Sequence, residues 1–325
     1  MTEALKITNL TKTFPVGKRL FGPPKALVRA VQPVTLTVQE KETLGIVGES
    51  GCGKSTLARM LVGLLPPTSG EIVLNGKPVD NTDPAEFGKK IQYVFQDPIS
   101  SLNPRKTIKE IMEAPLKYLH RMDAPARMKR IQEIFAAVNL REEFLDRYPH
   151  EFSGGQAQRI GIARALAADA RILILDEPVS ALDVSVQAQV LNLLADLKAE
   201  FGLTYLFISH DLAVVEAVSE RVAVLYFGAV VEVGPAEEVF AKPKHPYTKL
   251  LAESAPVVGR ELKAPEGRET ELPDPLNPPT GCAFAARCFK ATDLCRRETP
   301  QLTDDGTPTQ VACFHPLTAT DVRSG

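Results

Sequence analysis

Apolar runs of four or five residues alternate with amphipathic segments through the first 240 residues of the chain. The apolar runs are Leu44–Val47, Ile91–Phe95, Ile172–Leu175 and Thr204–Ile208. Their short length and few polar positions predict strands that are buried on both faces. The segments Ser55–Leu65 and Val186–Glu200 repeat apolar residues with the period of a helix. Strands that alternate with helices in this way predict a mostly parallel α/β sheet.

Two regions near the N-terminus predict an antiparallel β part instead. Residues 5–10 and 34–38 alternate apolar with polar side chains, as strands of a half-exposed sheet do. Glu71–Val79 carries Asn75-Gly76 at its centre, a dipeptide typical of tight hairpins. We therefore expect an antiparallel sheet beside the parallel one.

A helical stretch then interrupts the alternation of strands and helices. Thr107–Leu145 has helical periodicity, most clearly over Met128–Val138. This predicts a helical subdomain at about residues 97–152. The hairpin-like segment Arg221–Gly234 closes the first domain, which we place at residues 1–240.

Proline changes the character of the chain after residue 240. Six prolines fall within a short stretch, namely Pro256, Pro265, Pro273, Pro275, Pro278 and Pro279. Because proline lacks a backbone donor and fixes φ, this density excludes long helices and strands. We expect a small, loop-rich C-terminal domain over residues 241–325.

Composition and charge narrow the classes of function. The 325 residues carry a formal net charge of -2, with 44% hydrophobic and 24% charged residues. This is ordinary for a globular protein, and it provides no basic field for nucleic acid. No run approaches the roughly 20 apolar residues of a membrane-spanning helix, and the N-terminus lacks the pattern of a secretion signal. We therefore expect a cytosolic protein with reduced thiols and no nucleic-acid partner.

A glycine-rich loop lies between the apolar run at 44–47 and the predicted helix at 55–65. It reads Gly-Glu-Ser-Gly-Cys-Gly-Lys-Ser and fits the pattern of loops that bind nucleotide phosphates. Glycines let backbone N–H groups converge on phosphate oxygens, Lys54 reaches the β and γ phosphates, and Ser55 binds Mg²⁺. A chance match would rarely have this strand–turn–helix context. The predicted ATP-binding residues here are Gly48, Glu49, Ser50, Gly51, Cys52, Gly53, Lys54, Ser55 and Thr56.

Two carboxylates end the apolar run at 172–175. In α/β sheets, ligands bind at the carboxyl ends of the strands, where Asp176 and Glu177 lie. We expect Asp176 to hold Mg²⁺ and Glu177 to polarise the attacking water. Alone, such a pair is equally typical of a solvated strand end, and the phosphate loop is what favours the catalytic interpretation.

Further motifs resemble those of one family, the ABC ATPases. Phe152–Gln156 reads Phe-Ser-Gly-Gly-Gln, which is similar to the family's signature sequence. Gln96 follows a strand at the position of the family's glutamine loop, and His210 matches its switch histidine. Ser180–Asp183 resembles the loop that contacts the opposing subunit. The resemblance implies the P-loop NTPase fold of an ABC cassette, with the parallel, antiparallel and helical parts described above.

The resemblance also implies roles for these residues. Glu177, His210 and Gln96 would be catalytic, and Ser55, Gln96 and Asp176 would hold Mg²⁺. Phe14 would stack on adenine, although it is also compatible with a plain core residue. The residues that would cover the nucleotide of an opposing subunit are Ser153, Gly154, Gly155, Gln156 and Asp183.

Four shorter motifs resemble the ATPases of peptide and nickel importers, above all the second ATPase of dipeptide and oligopeptide permeases. They are Ser100–Arg105, Arg147–His150, His245–Thr248 and Pro275–Pro279. This implies a peripheral protein on the cytoplasmic face of the bacterial inner membrane that powers peptide uptake. Its partners would be a second ATPase in a heterodimer, two transmembrane permease subunits and an extracytoplasmic substrate-binding protein. Nickel, glutathione or opine cargo, and a non-transport ABC ATPase, are the alternatives.

Four of the five cysteines lie after residue 281, at Cys282, Cys288, Cys295 and Cys313. Four thiols in a reduced, proline-rich segment indicate a metal site, and both Zn²⁺ and a [4Fe–4S] cluster accept four thiolates. Their spacing does not choose between these metals, or exclude cysteines without metal. Resemblance to the peptide-importer ATPases favours the iron–sulfur cluster.

Overall fold

The computed structural model describes residues 2–17, 24–79, 84–254, 272–303, 306–318 and 321. In these ranges two β-sheets, ten α-helices and two short 3-10 helices are formed. The C-terminal prolines Pro256 and Pro265 lie outside the described residues.

A seven-stranded sheet forms the centre of the described part of the chain. Its strands are β3 (Thr43–Val47), β6 (Ile91–Val94), β7 (Ile172–Asp176), β8 (Thr204–Ile208), β9 (Arg221–Tyr226), β10 (Ala229–Pro235) and β11 (Gln310–Val311). They lie in the order β11-β10-β9-β3-β8-β7-β6. The five strands from β9 to β6 are parallel, whereas β10 and β11 are antiparallel to their neighbours. The predicted mostly parallel α/β sheet is confirmed.

Both faces of this sheet are buried, as its continuous apolar strands require. On β7, Leu173 and Leu175 belong to one hydrophobic cluster, while Ile172 and Ile174 belong to the other. Successive side chains of a strand point to opposite faces, so each strand supplies both cores. The first core packs against helices and the second against the other sheet.

The second sheet is antiparallel and contains β1 (Glu3–Val16), β2 (Ala26–Gln39), β4 (Ser69–Leu74) and β5 (Lys77–Pro78). As predicted, Asn75 and Gly76 form the tight turn between β4 and β5, with φ of 50° and 72°. β1 and β2 are longer than the sequence predicted because their outer halves pair with each other while staying partly exposed. Where both faces of a strand pair are partly exposed, apolar and polar side chains do not alternate clearly, so the sequence pattern missed these outer halves.

The helices are α1 (Lys54–Leu61), α2 (Pro84–Lys90), α3 (Ile108–Tyr118), α4 (Ala124–Ala137), α5 (Gly154–Ala167), α6 (Val184–Phe201), α7 (Leu212–Val218), α8 (Ala236–Ala241), α9 (Pro246–Ser254) and α10 (Asp293–Arg297). The stretch predicted as helical at Thr107–Leu145 is divided into α3, α4 and a 3-10 helix at Glu142–Asp146. Thr107 caps α3 in a capping box and Asp123 caps α4, so each helix has its own start signal. Helices α3 and α4 pack against each other and against α5.

The C-terminal region adds a strand to the central sheet and contributes side chains to its hydrophobic core. Strand β11 pairs with β10 through Val311 opposite Glu232. Tyr247 of α9 and Phe284 are buried in the same hydrophobic cluster as the strands. The region therefore shares a core with the rest of the described chain.

Within the described ranges, none of the helices combines the length and apolar character that a membrane crossing requires.

Candidate active site

The loops that follow four neighbouring parallel strands meet at one edge of the central sheet. β3 leads to Gly48, β6 to Gln96, β7 to Glu177 and β8 to His210. Because parallel strands all end at the same edge, these loops come together although they are far apart in sequence. They border a cleft of about 470 Å³. The described residues that line it are Ala30, Ser50, Gly51, Gly53, Lys54, Ser55, Thr56, Gln96, Glu177 and His210.

The loop between β3 and α1 needs glycine at two crowded positions. Gly48 has a φ of 151°, and a Cβ there would lie 2.2 Å from the carbonyl oxygen of Leu225. Gly53 has a φ of 106°, and a Cβ there would lie 2.4 Å from the carbonyl oxygen of Ala30. Only glycine combines these φ values with such close approach. No side chain caps the N-terminus of α1 directly after the loop, and such a helix end attracts anions.

Lys54 lies against its own loop. Its side chain is buried, and its Nζ donates hydrogen bonds to the carbonyl oxygens of Gly48 at 2.6 Å and Glu49 at 2.9 Å. Cys52, in the same loop, is also buried but does not line the cleft. Burial raises the pKa of the Cys52 thiol, so a reactive thiolate is disfavoured there. Among the described residues that line the cleft, Lys54 is the one lysine or arginine.

Asp176 is buried beside the helix start and held by two hydroxyl groups. Ser55 Oγ donates to Asp176 Oδ1 at 3.3 Å, and the Tyr93 hydroxyl donates to Oδ2 in a short hydrogen bond. Burial of the phenol, and then the Asp176 charge, raise the pKa of Tyr93, which therefore stays a donor. Hydroxyl and carboxylate oxygens are ligands that Mg²⁺ prefers. Ser55 and Asp176 therefore fit a magnesium ion.

Both carboxylate oxygens of Glu177 have a partner from a neighbouring loop. Gln96 Nε2 donates to Oε2 at 3.0 Å, and His210 Nδ1 lies 3.1 Å from Oε1. The Glu177 backbone is left-handed, with a φ of 49°, a conformation that costs free energy for a residue with a side chain. Its N–H donates to the carbonyl oxygen of Ile208 at 2.8 Å. The fold thus holds Glu177 in an unfavourable backbone conformation that keeps its carboxylate at the cleft.

The Phe152–Gln156 motif lies outside this cleft. Ser153 caps α5 in a capping box with Gln156. Gly155 is pressed against the start of α6, where a Cβ would come within 2.5 Å of Val186 Cγ1. Asp183 precedes α6 as an exposed residue whose side chain caps nothing. The structure therefore brings Ser153–Gln156 together with the turn before α6, and neither is among the described residues that line the cleft.

Phe14 lies near the cleft without lining it. It is half-buried on β1 and pairs with Val28 of β2, two residues before Ala30, which borders the cleft. Lys12 Nζ lies 5.2 Å from the centroid of its ring. The adenine-stacking role of Phe14 stays a prediction.

The predicted iron–sulfur cluster is wrong. Among the described residues, no group of three or more His, Cys, Asp or Glu side chains is placed to hold a metal ion, and this also excludes the zinc alternative there. All five cysteines fall in the described ranges, and no disulfide joins any of them. Cys282, Cys288, Cys295 and Cys313 line one small cavity together with apolar side chains such as Phe284 and Phe314.

The four cysteines differ in burial and in their partners within the protein. Burial raises the pKa of Cys282, and it raises that of Cys313 to about 11, so these thiols are neutral. Cys313 Sγ accepts a hydrogen bond from the His315 N–H at 3.4 Å, and Cys295 Sγ lies 3.6 Å from Thr292 Oγ1. Cys295 is buried, whereas Cys282, Cys288 and Cys313 are partly buried, and all four border the same small cavity.

Three residues near the site had no assigned role in the sequence. Tyr93 is one aromatic residue of a buried strand, and no pattern marks its bond to Asp176. Arg287 forms a bidentate ion pair with Glu49 of the phosphate loop, and the Tyr247 hydroxyl accepts a hydrogen bond from the Glu49 N–H. Tyr247 belongs to the His245–Thr248 motif, which resembles that of importer ATPases but has no chemical role that the sequence alone explains. Its contact with the phosphate loop supplies one.

Comparison with known proteins identifies two families along the chain. Residues 31–180 match the ABC transporter family, and residues 231–295 match the C-terminal region of oligopeptide/dipeptide transporters. The chain is 48% identical to the dipeptide transport ATP-binding protein DppF of Haemophilus influenzae, over 97% of each chain. It is 45% identical to the oligopeptide transport ATP-binding protein AppF of Bacillus subtilis, over 95% of this chain and 96% of AppF.

A solved structure adds the fold. A bacterial ABC transporter cassette, solved as a dimer, is 34% identical with a TM-score of 0.63. The match covers 71% of this chain and 98% of that cassette. The same cassette was also solved as a dimer in a post-hydrolysis state with ADP and Pi.

Proposed function

Since this chain belongs to the family of ABC transporter ATP-binding proteins, we propose that it is the ATP-hydrolysing subunit of a dipeptide or oligopeptide importer. One observation carries the enzymatic part of this proposal. The cleft brings Lys54 and Ser55 of the phosphate loop together with Glu177, whose carboxylate is held by Gln96 and His210. These are the groups that binding a polyphosphate and activating water require.

Binding of ATP follows from the phosphate loop. The triphosphate lies over the start of α1, where backbone N–H groups and the helix dipole favour negative charge. Lys54 exchanges its bonds to the loop carbonyls for the phosphate oxygens. Ser55 and Asp176 would hold Mg²⁺, which would neutralise part of the phosphate charge.

Hydrolysis needs a base beside the phosphates. Glu177 accepts the proton of the attacking water, because it is the carboxylate among the described residues that line the cleft. Gln96 and His210 fix the direction of its two oxygens, and each oxygen keeps a lone pair for the water. Phe14, near the cleft wall, stacks on the adenine.

The second half of each site comes from another subunit. Ser153–Gln156 opens a helix N-terminus suited to a γ-phosphate, and it lies outside its own chain's cleft. Two cassettes facing each other let the motif of one cover the nucleotide of the other, with Asp183 at the contact. ATP binding then closes the pair and hydrolysis reopens it.

Cargo and partners are inferred from the relatives. Their names specify dipeptide and oligopeptide transport, which favours peptides over nickel, glutathione or opines. We propose that the chain works with a second ATPase in a heterodimer, two permease subunits and an extracytoplasmic substrate-binding protein. This assembly locates the chain at the cytoplasmic face of the bacterial inner membrane.

The shared site is tested with Ser153→Arg. The new side chain obstructs the anion site that Ser153 offers to the facing subunit, but it leaves the phosphate loop of its own chain untouched. The isolated chain should bind ATP as before, whereas hydrolysis in the assembled transporter should fall at least ~10-fold, as when a preorganised donor is lost. Nucleotide titration of the chain and phosphate release by the transporter measure the two effects.

Ser254→Arg, at the exposed end of α9, is the matched control and should change neither value. Equal hydrolysis by the Ser153→Arg and control transporters would contradict the shared site. So would full activity of the unchanged chain in a strictly monomeric preparation.

A further inference from the structure

The C-terminal region contacts the phosphate loop through an ion pair. Arg287 Nη1 donates to Glu49 Oε2 at 2.9 Å, and Nη2 donates to Oε1 at 2.8 Å. The Arg287 side chain is 9% exposed and that of Glu49 is 28% exposed. A bidentate pair of this kind is among the stronger hydrogen-bonded contacts in proteins. The hydrogen bonds to Glu49 also raise the pKa of Arg287 above its usual range.

A second contact reaches the backbone of the same residue. The Glu49 N–H donates to the Tyr247 hydroxyl at 2.9 Å. Tyr247 is fully buried, with its ring centroid 4.5 Å from that of Tyr226 and 5.5 Å from that of Phe284. The Arg287 guanidinium also lies over Phe284, 5.6 Å from the ring centroid. One aromatic cluster therefore supports both groups that hold Glu49.

The segment that carries Tyr247 is bound to β10 by hydrogen bonds. Glu232, which is fully buried, accepts hydrogen bonds from the N–H groups of Lys244 at 2.8 Å and His245 at 2.9 Å. His245 Nδ1 accepts from the Tyr247 N–H at 3.0 Å. Burial lowers the pKa of His245 to about 3, so the ring stays neutral and remains an acceptor. The start of α9 is thus fixed relative to the sheet.

Glu49 is an unfavourable residue for a loop that binds phosphate. A carboxylate next to the site repels a polyanion, and the repulsion grows with the charge of the ligand. The carbonyl oxygen of Glu49 also receives the Lys54 ammonium at 2.9 Å. The groups that bind Glu49 therefore affect both the negative charge of the loop and the position of Lys54.

We propose that Arg287 and Tyr247 are positioning residues through which the C-terminal region prepares the phosphate loop for ATP. Arg287 neutralises the Glu49 carboxylate, and Tyr247 fixes the Glu49 backbone beside Lys54. This inference rests on the proposed function, in which ATP binds at the loop. It gives the C-terminal region a direct part in nucleotide affinity, beyond any contact with other subunits.

The test measures the affinity of the full-length chain for ATP and ADP by calorimetry. Arg287→Gln keeps a polar side chain, although a shorter one, and removes its charge. It should weaken ATP binding about 10-fold, since one uncompensated unit charge then faces the polyphosphate. ADP, with less charge, should lose less. Glu49→Gln in the same chain removes the repelling charge and should restore ATP affinity to within about threefold of the unchanged chain.

Arg296→Gln is the matched control, because Arg296 is an exposed arginine of the same region that pairs with Asp293. It should bind both nucleotides like the unchanged chain. Failure of the unchanged chain and of this control to bind ATP would overturn the proposed function itself. The present inference would instead be overturned if both bind but Arg287→Gln binds equally well.

A purely structural role for Arg287 predicts a different pattern. In that case Arg287→Gln would weaken ATP and ADP binding equally, and Glu49→Gln would not relieve the loss.

Glu49→Gln alone provides an independent test, should Arg287→Gln fail to fold. It removes the negative charge of Glu49 from the loop while Arg287 keeps its positive charge, and it should bind ATP at least as tightly as the unchanged chain. Weaker ATP binding by Glu49→Gln would also overturn the inference.

Discussion

Replacing Glu177 with glutamine should slow ATP hydrolysis at least ~100-fold, the effect expected for loss of a positioned general base. The amide of the new side chain cannot accept a proton, yet it has the same shape as the carboxylate and can still bond to Gln96 and His210. ATP binding should therefore remain, and the chain should accumulate as an ATP-bound dimer with itself or with its partner ATPase. Phosphate release by the assembled transporter and sedimentation with ATP measure the two effects.

The control for this change is Glu133→Gln. Glu133 is a surface carboxylate of α4 that pairs with Arg130 and lies outside the cleft. The same chemical change there should leave hydrolysis within about twofold, as is usual for surface substitutions. Near-normal hydrolysis by the Glu177→Gln transporter would remove Glu177 from the proposed mechanism.

Replacing Lys54 with alanine should weaken ATP binding at least ~100-fold, because charge-assisted bonds to several phosphate oxygens are lost together. Lys54 is the one lysine or arginine among the described residues that line the cleft. Its removal also takes one donor from the carbonyl oxygens of Gly48 and Glu49, so the loop loses internal hydrogen bonds. Titration of the full-length chain with a fluorescent ATP analogue, checked against unlabelled ATP, gives the affinity.

Lys129→Ala serves as the comparison, since Lys129 is exposed on α4. It should bind ATP like the unchanged chain. Circular dichroism and the melting temperature establish that both variants are folded. A dissociation constant for folded Lys54→Ala within about threefold of that of Lys129→Ala would be incompatible with the site described here.

Short-range patterns predicted the centre of the site well. The loop at Gly48–Ser55 and the pair Asp176-Glu177 each depend on a few adjacent residues after a buried strand. The resemblance to ABC ATPases added Gln96 and His210, each of which follows a predicted strand, to this site. The structure brings Gln96, Glu177 and His210 to the same cleft, because β6 and β8 are the two neighbours of β7 in the sheet.

Contacts between distant segments were not predictable in the same way. Glu49 and Arg287 are 238 positions apart, and no periodicity connects them. Glu177 combines a left-handed backbone with a hydrogen bond to Ile208 of the neighbouring strand, and no local propensity reveals either feature. The pairing of β11 with β10 was likewise not predictable, because the two strands are far apart in the sequence.

For the cysteines, the sequence predicted a metal site that the structure does not show. Cys282, Cys288, Cys295 and Cys313 do come to one cavity, as their clustering in the sequence suggested. Amino-acid type alone did not reveal that partial burial raises the pKa of the Cys282 and Cys313 thiols, or that the described residues form no metal-binding group. A cluster of cysteines in a proline-rich segment therefore indicated proximity correctly and chemistry wrongly.

The central claim is that ATP hydrolysis in this cleft drives peptide import. The most direct measurement uses proteoliposomes that contain the chain with its permease partners and second ATPase, supplied with binding protein and labelled dipeptide. ATP hydrolysis and dipeptide accumulation are followed together. The account predicts that peptide stimulates hydrolysis, and that Glu177→Gln abolishes both hydrolysis and accumulation while Glu133→Gln preserves them. Peptide accumulation that persists in the Glu177→Gln proteoliposomes, or hydrolysis that does not respond to peptide, would contradict it.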